Sequence, residues 1–142
     1  MKTLYEATTK AIGGRSGKIE SVDGPLNHKL AVPESMGGEG GNGTNPEQFF
    51  GAAYAACFGG ALQAVAKNEK IKIKEEELSV TAIIGFCKDD DGFCLEATLD
   101  CYIPGVDIKT GEDLVEKAHE MCPFSKATRD NITVTLNLLL DE

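Results

Sequence analysis

The chain has 142 residues, 42% of them hydrophobic and 26% charged, enough for one domain to bury an ordinary core without disulfide or metal staples. Its 23 acidic residues against 14 basic ones give a net charge of -9, which repels nucleic-acid backbones and anionic membrane surfaces and leaves small molecules or proteins as expected partners. The first residues, MKTLYEATTK, lack the continuous apolar stretch of a signal peptide, so a cytoplasmic location is expected, with the five cysteines as thiols.

In chain order, Thr3 to Ile12 reads as a strand, GGRSG (13–17) as a turn with Arg15 at its tip, and Lys18 to Val22 as the returning strand. DGPLN (23–27) turns into a short strand from His28 to Val32, which Pro33 ends, and GGEGGNG (37–43) is a loop. At TNPEQ (44–48), Thr44 or Asn45 can cap a helix, Pro46 suits its first position, and Glu47 and Gln48 suit a capping box. A long helix is expected from near Pro46 to about Lys70. Leu78 to Cys87 and Phe93 to Ile103 read as a hairpin around DDDG (89–92). A helix follows from about Gly111 to Met121 and stops at Pro123, because proline disfavours a helical residue before it. Phe124 to Arg129 reads as a short helix and Ile132 to Leu140 as a closing strand. The expected class is α+β, a single domain over 1–142 with antiparallel strands around one apolar central helix.

From Phe49 to Ala66 the central helix has 18 residues without a charge, the length at which a membrane span is considered. Seven alanines, three glycines and a glutamine dilute that run, so a core helix that lets another helix approach closely is the better reading and no membrane association is expected. A helix that is apolar or small all round needs cover on every side. A homodimer in which two such helices share one core is therefore expected.

Cys57 lies about three turns into that helix, too far from its start for the helix dipole to ionise it. Burial alone raises a thiol pKa, so Cys57 is either a small core hydrophobe or a nucleophile activated by a cation. Cys122, in CPFS, falls at the edge of the short helix, where free backbone N–H groups favour a thiolate. Cys87, Cys94 and Cys101 belong to the hairpin and read as structural. Cys94 and Cys101 point to opposite faces, and Cys87 and Cys94 are candidate cross-strand neighbours, expected reduced. His119 and Cys122 have helical spacing with Glu116 on the same face, but only two histidines and no C-x-x-C pair exist, so no metal site is expected. The glycine loop lacks the lysine of a phosphate-binding P-loop and carries Glu39.

GTNPEQFFGAAYAACFGGAL (43–62), KAHEMCPFSKATRDNITVTL (117–136) and GGRSGKIESVDGPL (13–26) together resemble the organic hydroperoxide resistance branch of the Ohr/OsmC family, over essentially the whole chain and in the same order. The resemblance implies an intertwined α/β homodimer with active sites at the subunit interface. It also implies Cys57 as the peroxidatic cysteine, Cys122 as the resolving cysteine, and Arg15 and Glu47 as the pair that activates and orients Cys57. The reductant implied is a lipoylated protein with its dihydrolipoyl dithiol, and no cofactor is implied. Phe124 stands where many relatives have tyrosine, Asp130 where many have glycine, and Cys87, Cys94 and Cys101 are extras.

Such roles are chemically coherent. A thiolate cleaves the O–O bond, and an arginine both favours the ionised sulfur and hydrogen-bonds the peroxide oxygens. Glu47 can fix that guanidinium by a two-pronged pair. Glu47 and Cys57 lie ten residues apart, about 15 Å along a straight helix, so either the helix breaks near Gly51 or the pair meets Cys57 across a dimer interface, the preferred alternative. Phe50, Tyr54, Phe58 and Phe124 around the sulfur would favour peroxides with apolar tails. The expected reaction is reduction of organic hydroperoxides to alcohols, with an OsmC-like enzyme of broader peroxide preference, or a noncatalytic or metal-binding thiol protein, as alternatives.

Overall fold

The computed structural model describes residues 1–142, which group into two compact units, Met1–Phe49 and Phe50–Glu142.

In the first unit, β1 (Thr9–Ile12), β2 (Lys18–Ser21) and β3 (Asn27–Lys29) form an antiparallel sheet in that order. The expected strand from Thr3 shortens to Thr9, because β2 offers only four residues for pairing before the chain turns away. Between β1 and β2, Gly13 and Gly14 take φ of 79° and 60°, a left-handed conformation that glycine adopts without strain, and Gly14–Ser16 makes one 3-10 turn carrying Arg15. Gly17 closes this turn where a Cβ would stand 1.7 Å from the Ile12 carbonyl oxygen. Gly17→Ala is therefore expected to displace the Arg15 turn and to cost about 1–3 kcal/mol. An unchanged thermal melting temperature would overturn this expectation.

Ala31 and Thr44 join the start and end of the glycine loop through an N–H to carbonyl bond of 2.9 Å. Next comes α1 (Pro46–Asn68), whose cap is resolved in favour of Asn45. Asn45 Oδ1 accepts from the Gln48 N–H at 2.9 Å and Gln48 Oε1 accepts from the Asn45 N–H at 3.1 Å, a reciprocal capping box that leaves Glu47 free for other contacts.

In the second unit, β4 (Ser79–Asp89) and β5 (Gly92–Tyr102) pair antiparallel around the two-residue turn Asp90–Asp91, where Gly92 has φ 131°. α2 (Ile108–Met121) and α3 (Pro123–Thr128) then carry the chain across to β6 (Val134–Leu139). β6 pairs parallel to β5, which departs from the expected all-antiparallel strands. The two helices between β5 and β6 make a crossover, and a crossover returns the chain in the same direction, whereas a hairpin reverses it. α2 also begins earlier than expected. Asp107 Oδ1 accepts the Thr110 N–H at 2.7 Å and starts the helix, while Gly111 is a point of close approach, where a Cβ would stand 2.9 Å from Leu138.

The core joins one face of α1 (Tyr54, Phe58, Ala61, Leu62, Val65) to alternate residues of β5 (Ala97, Leu99, Cys101) and to the inner face of α2 (Leu114, Val115, Ala118). By length and composition α1 could cross a membrane, yet its Tyr54, Phe58 and Leu62 have no exposed surface and belong to this core. On its other face Ala52, Ala53, Ala56 and Gly60 remain exposed. The helix is thus covered on one side only by its own chain.

Candidate active site

Proline positions one of the two cysteines of the site, Cys122. It disfavours helix at the residue before it, so α2 ends at Met121, and Cys122 takes an extended conformation (φ -64°, ψ 123°) between α2 and α3. Cys122 is fully buried, and its Sγ lies 3.5 Å from Cys57 Sγ, donating to it. Residues 65 apart in sequence meet here, both as free thiols.

Cys57 is half-buried, and burial pushes its thiol up from the ordinary range. The backbone N–H of Phe124, in the first turn of α3, pulls the other way by hydrogen-bonding the sulfur. Burial wins, so Cys57 is a protonated thiol unless a further positive group stabilises its anion.

Arg15 and Glu47, 32 residues apart, form a two-pronged pair within the first unit, Nη1 to Oε2 at 3.1 Å and Nη2 to Oε1 at 2.7 Å. The Arg15 hydrogen bond holds the Glu47 carboxyl below the usual carboxylate range, against an opposing effect of burial. The Glu47 side chain is 14% exposed and that of Arg15 41%, so the carboxylate is the more buried member of the pair. α1 runs unbroken from Pro46 to Asn68, which removes the expected alternative of a break near Gly51. Glu47 and Cys57 thus lie about 15 Å apart along one helix.

The four expected pocket residues divide. Tyr54 and Phe58 have no exposed surface and act as core, whereas Phe50 and Phe124 are only half-buried. Tyr54 is the hub of the aromatic group, edge-on to Phe50 at 6.0 Å and tilted against Phe124 at 5.9 Å. Its buried hydroxyl lies 2.9 Å from Ser125 Oγ and 3.2 Å from Thr128 Oγ1. These hydroxyls tie α3, and so Cys122 and the Phe124 N–H, to α1. Ser125 and Thr128 were not anticipated from sequence, although two hydroxyls three apart on a short apolar helix are a signal for a buried partner. Tyr54→Phe is expected to leave them poorly satisfied and to cost about 1–2 kcal/mol in urea denaturation. A stability gain would show instead that the hydroxyl cluster is poorly bonded.

His119 and Glu116 line a groove of about 570 Å³ between α2 and β6, while Cys122 turns to Cys57 instead.

The profile described as OsmC-like protein matches residues 38–137. An organic hydroperoxide resistance protein of Xanthomonas axonopodis pv. citri is 47% identical over 96% of each chain. The organic hydroperoxide resistance protein OhrB of Bacillus subtilis is 45% identical over 95% of this chain and 98% of its own. The chain belongs to the OsmC-like family. Within it, the chain groups with the organic hydroperoxide resistance proteins, and it has their α+β fold. A solved organic hydroperoxide resistance protein from Elizabethkingia anophelis, with crystallant-derived thiocyanate bound, matches it at TM-score 0.91 and 45% identity over 97% of this chain and 98% of the other. For this OsmC-family chain, the paired thiols and the Arg15–Glu47 pair lie on the segments whose motifs carry the resemblance.

Proposed function

We propose that the protein is a cysteine-based peroxidase that reduces organic hydroperoxides to alcohols. The names of its relatives support a role in resistance to such peroxides. The observation that carries the cysteine mechanism is the 3.5 Å separation of Cys57 and Cys122, since closing it to the roughly 2.0 Å of a disulfide needs only a small shift.

Cys57 is the attacking sulfur, because it is the more open of the two and carries the Phe124 N–H. Its thiolate takes the terminal peroxide oxygen, the O–O bond breaks, the alkoxide leaves as alcohol after protonation, and Cys57 becomes a sulfenic acid. Cys122 attacks that sulfur, a disulfide forms, and the sulfenic oxygen leaves as water. A dihydrolipoyl-type dithiol, carried on a lipoylated protein, restores both thiols by exchange. The half-buried rings of Phe50 and Phe124 favour an apolar tail on the peroxide.

The thiol that burial holds protonated needs a cation, and Arg15, pre-aligned by Glu47, is the group suited to supply it. In this reading two copies form a homodimer through the exposed small face of α1, Ala52, Ala56 and Gly60, and the pair of one copy serves Cys57 of the other. The location is cytoplasmic, where reducing dithiols are kept available.

The test is peptide mapping after one equivalent of an organic hydroperoxide, beside one equivalent of hydrogen peroxide. A Cys57–Cys122 disulfide that forms faster with the organic peroxide is expected. Equal rates would favour an OsmC-like enzyme of broader preference, and no reaction at Cys57 would overturn the peroxidase reading.

A further inference from the structure

Three cysteines lie outside the site above, and they are not alike. Cys101 faces the core with no exposed surface, and burial pushes its thiol up to about 12, so it is inert. Cys87 and Cys94 are half-buried free thiols on the opposite, outer face of the β4–β5 hairpin. They are direct register partners across the two strands. Residues so opposed stand about 4.5–5.5 Å apart at Cα, inside the roughly 4.4–6.8 Å that a disulfide spans. Both side chains leave the hairpin on that one face, so the register alone makes the two thiols cross-strand neighbours.

We propose that Cys87 and Cys94 form a second redox-active dithiol, which closes to a cross-strand disulfide by exchange with a small, uncharged or cationic disulfide. One thiolate attacks the small disulfide, forming a mixed disulfide and expelling a thiolate. Its cross-strand partner attacks the protein sulfur of that mixed disulfide, closing Cys87–Cys94 and expelling the second thiolate. The two cysteines lose two electrons and two protons, and the small disulfide gains both as two thiols.

The preference in charge comes from the turn. Asp89, Asp90 and Asp91 sit at the end of the hairpin that carries the pair, and Glu96 follows two residues after Cys94 on the same face. Partial burial and then the Asp89 carboxylate push the Cys94 thiol up, so ionisation there is suppressed. An anionic disulfide is repelled by the same carboxylates, and a cationic one is drawn in.

The test uses the wild-type protein, fully reduced and then exposed to excess cystamine or, separately, to excess glutathione disulfide, with free thiols alkylated at intervals. Trypsin cuts after Lys88, so Cys87 and Cys94 fall on different peptides that remain joined only through a disulfide. The expected result is a linked Cys87–Cys94 pair, formed at least about tenfold faster with cystamine at low salt than with glutathione disulfide. Asp89→Asn is expected to speed the glutathione reaction. With alkylation carried out after unfolding in acid-quenched denaturant, Cys101 serves as the internal control, and full oxidation should leave it as the single alkylatable thiol of the chain's five cysteines. Cys87 and Cys94 both alkylated, both stopped at separate mixed disulfides, or linked to a second chain would each overturn the proposal. Because the peptides of Cys57 and Cys122 are read separately, failure here leaves the peroxidase reading untouched, and the converse holds too.

Discussion

The Cys57→Ser protein is expected to consume an organic hydroperoxide at least about 10³-fold more slowly than wild type, because an alcohol cannot replace the attacking thiolate. Serine at this half-buried position is close in volume to cysteine, so the melting temperature should change little. Cys122→Ser behaves differently in the proposed cycle. The first equivalent of peroxide is still consumed, but the Cys57 sulfenic acid has no partner at 3.5 Å and persists long enough to be trapped by a sulfenic-acid-selective diketone. Steady-state turnover with a dithiol then falls. If both variants failed in the first turnover, the division of roles between the two sulfurs would be wrong. If neither failed, the chemistry would lie elsewhere in the molecule.

The second large effect is expected at Arg15. Arg15→Lys keeps the charge but loses the fork that engages both Glu47 oxygens at 3.1 and 2.7 Å, and peroxide reduction should drop by about 10²-fold. Glu47→Gln keeps the shape and removes the charge that holds the guanidinium, so a smaller loss in the same direction is expected. The pH dependence follows from the Glu47 shift. Its carboxyl is held below the ordinary range in the folded protein, so the pair's contribution is complete above the unfolded value and disappears only as pH falls through the lower, folded value. Activity lost on acidification within the ordinary carboxylate range is therefore not expected to come from Glu47. On the alkaline side, burial raises Cys57, and Glu47→Gln should move the activity profile further to high pH.

The same residues report on subunit sharing. Mixing Cys57→Ser chains with Arg15→Ala chains under exchanging conditions rebuilds one intact site per mixed dimer if Arg15 of one copy serves Cys57 of the other. Activity should then reappear in a mixture of two inactive proteins. No recovery, with mixed dimers demonstrated by mass, would place the pair and the thiol in one chain.

Much of the fold was legible because its boundaries rest on local chemistry. Asn45-Pro46 starts α1, Pro123 separates α2 from α3, and the acidic turn closes β4 on β5, each through backbone restrictions that act over a few residues. The less legible boundaries depended on distant partners. β1 is short because its neighbour is short, and β6 is parallel because two helices intervene.

Within the site, the residue types were readable as cysteines, an arginine and a carboxylate on motifs of the family. The sequence by itself determined that Cys122 precedes a proline at a helix edge and that Arg15 rides on a glycine turn, since both follow from allowed backbone angles. Only the tertiary structure decided that Cys122 reaches Cys57 across 65 residues, that Glu47 engages Arg15 across 32, and that Tyr54 and Phe58 are core while Phe50 and Phe124 keep some surface. Such outcomes depend on how elements pack and on what each side chain loses by leaving water, and neither quantity is a property of neighbours in sequence.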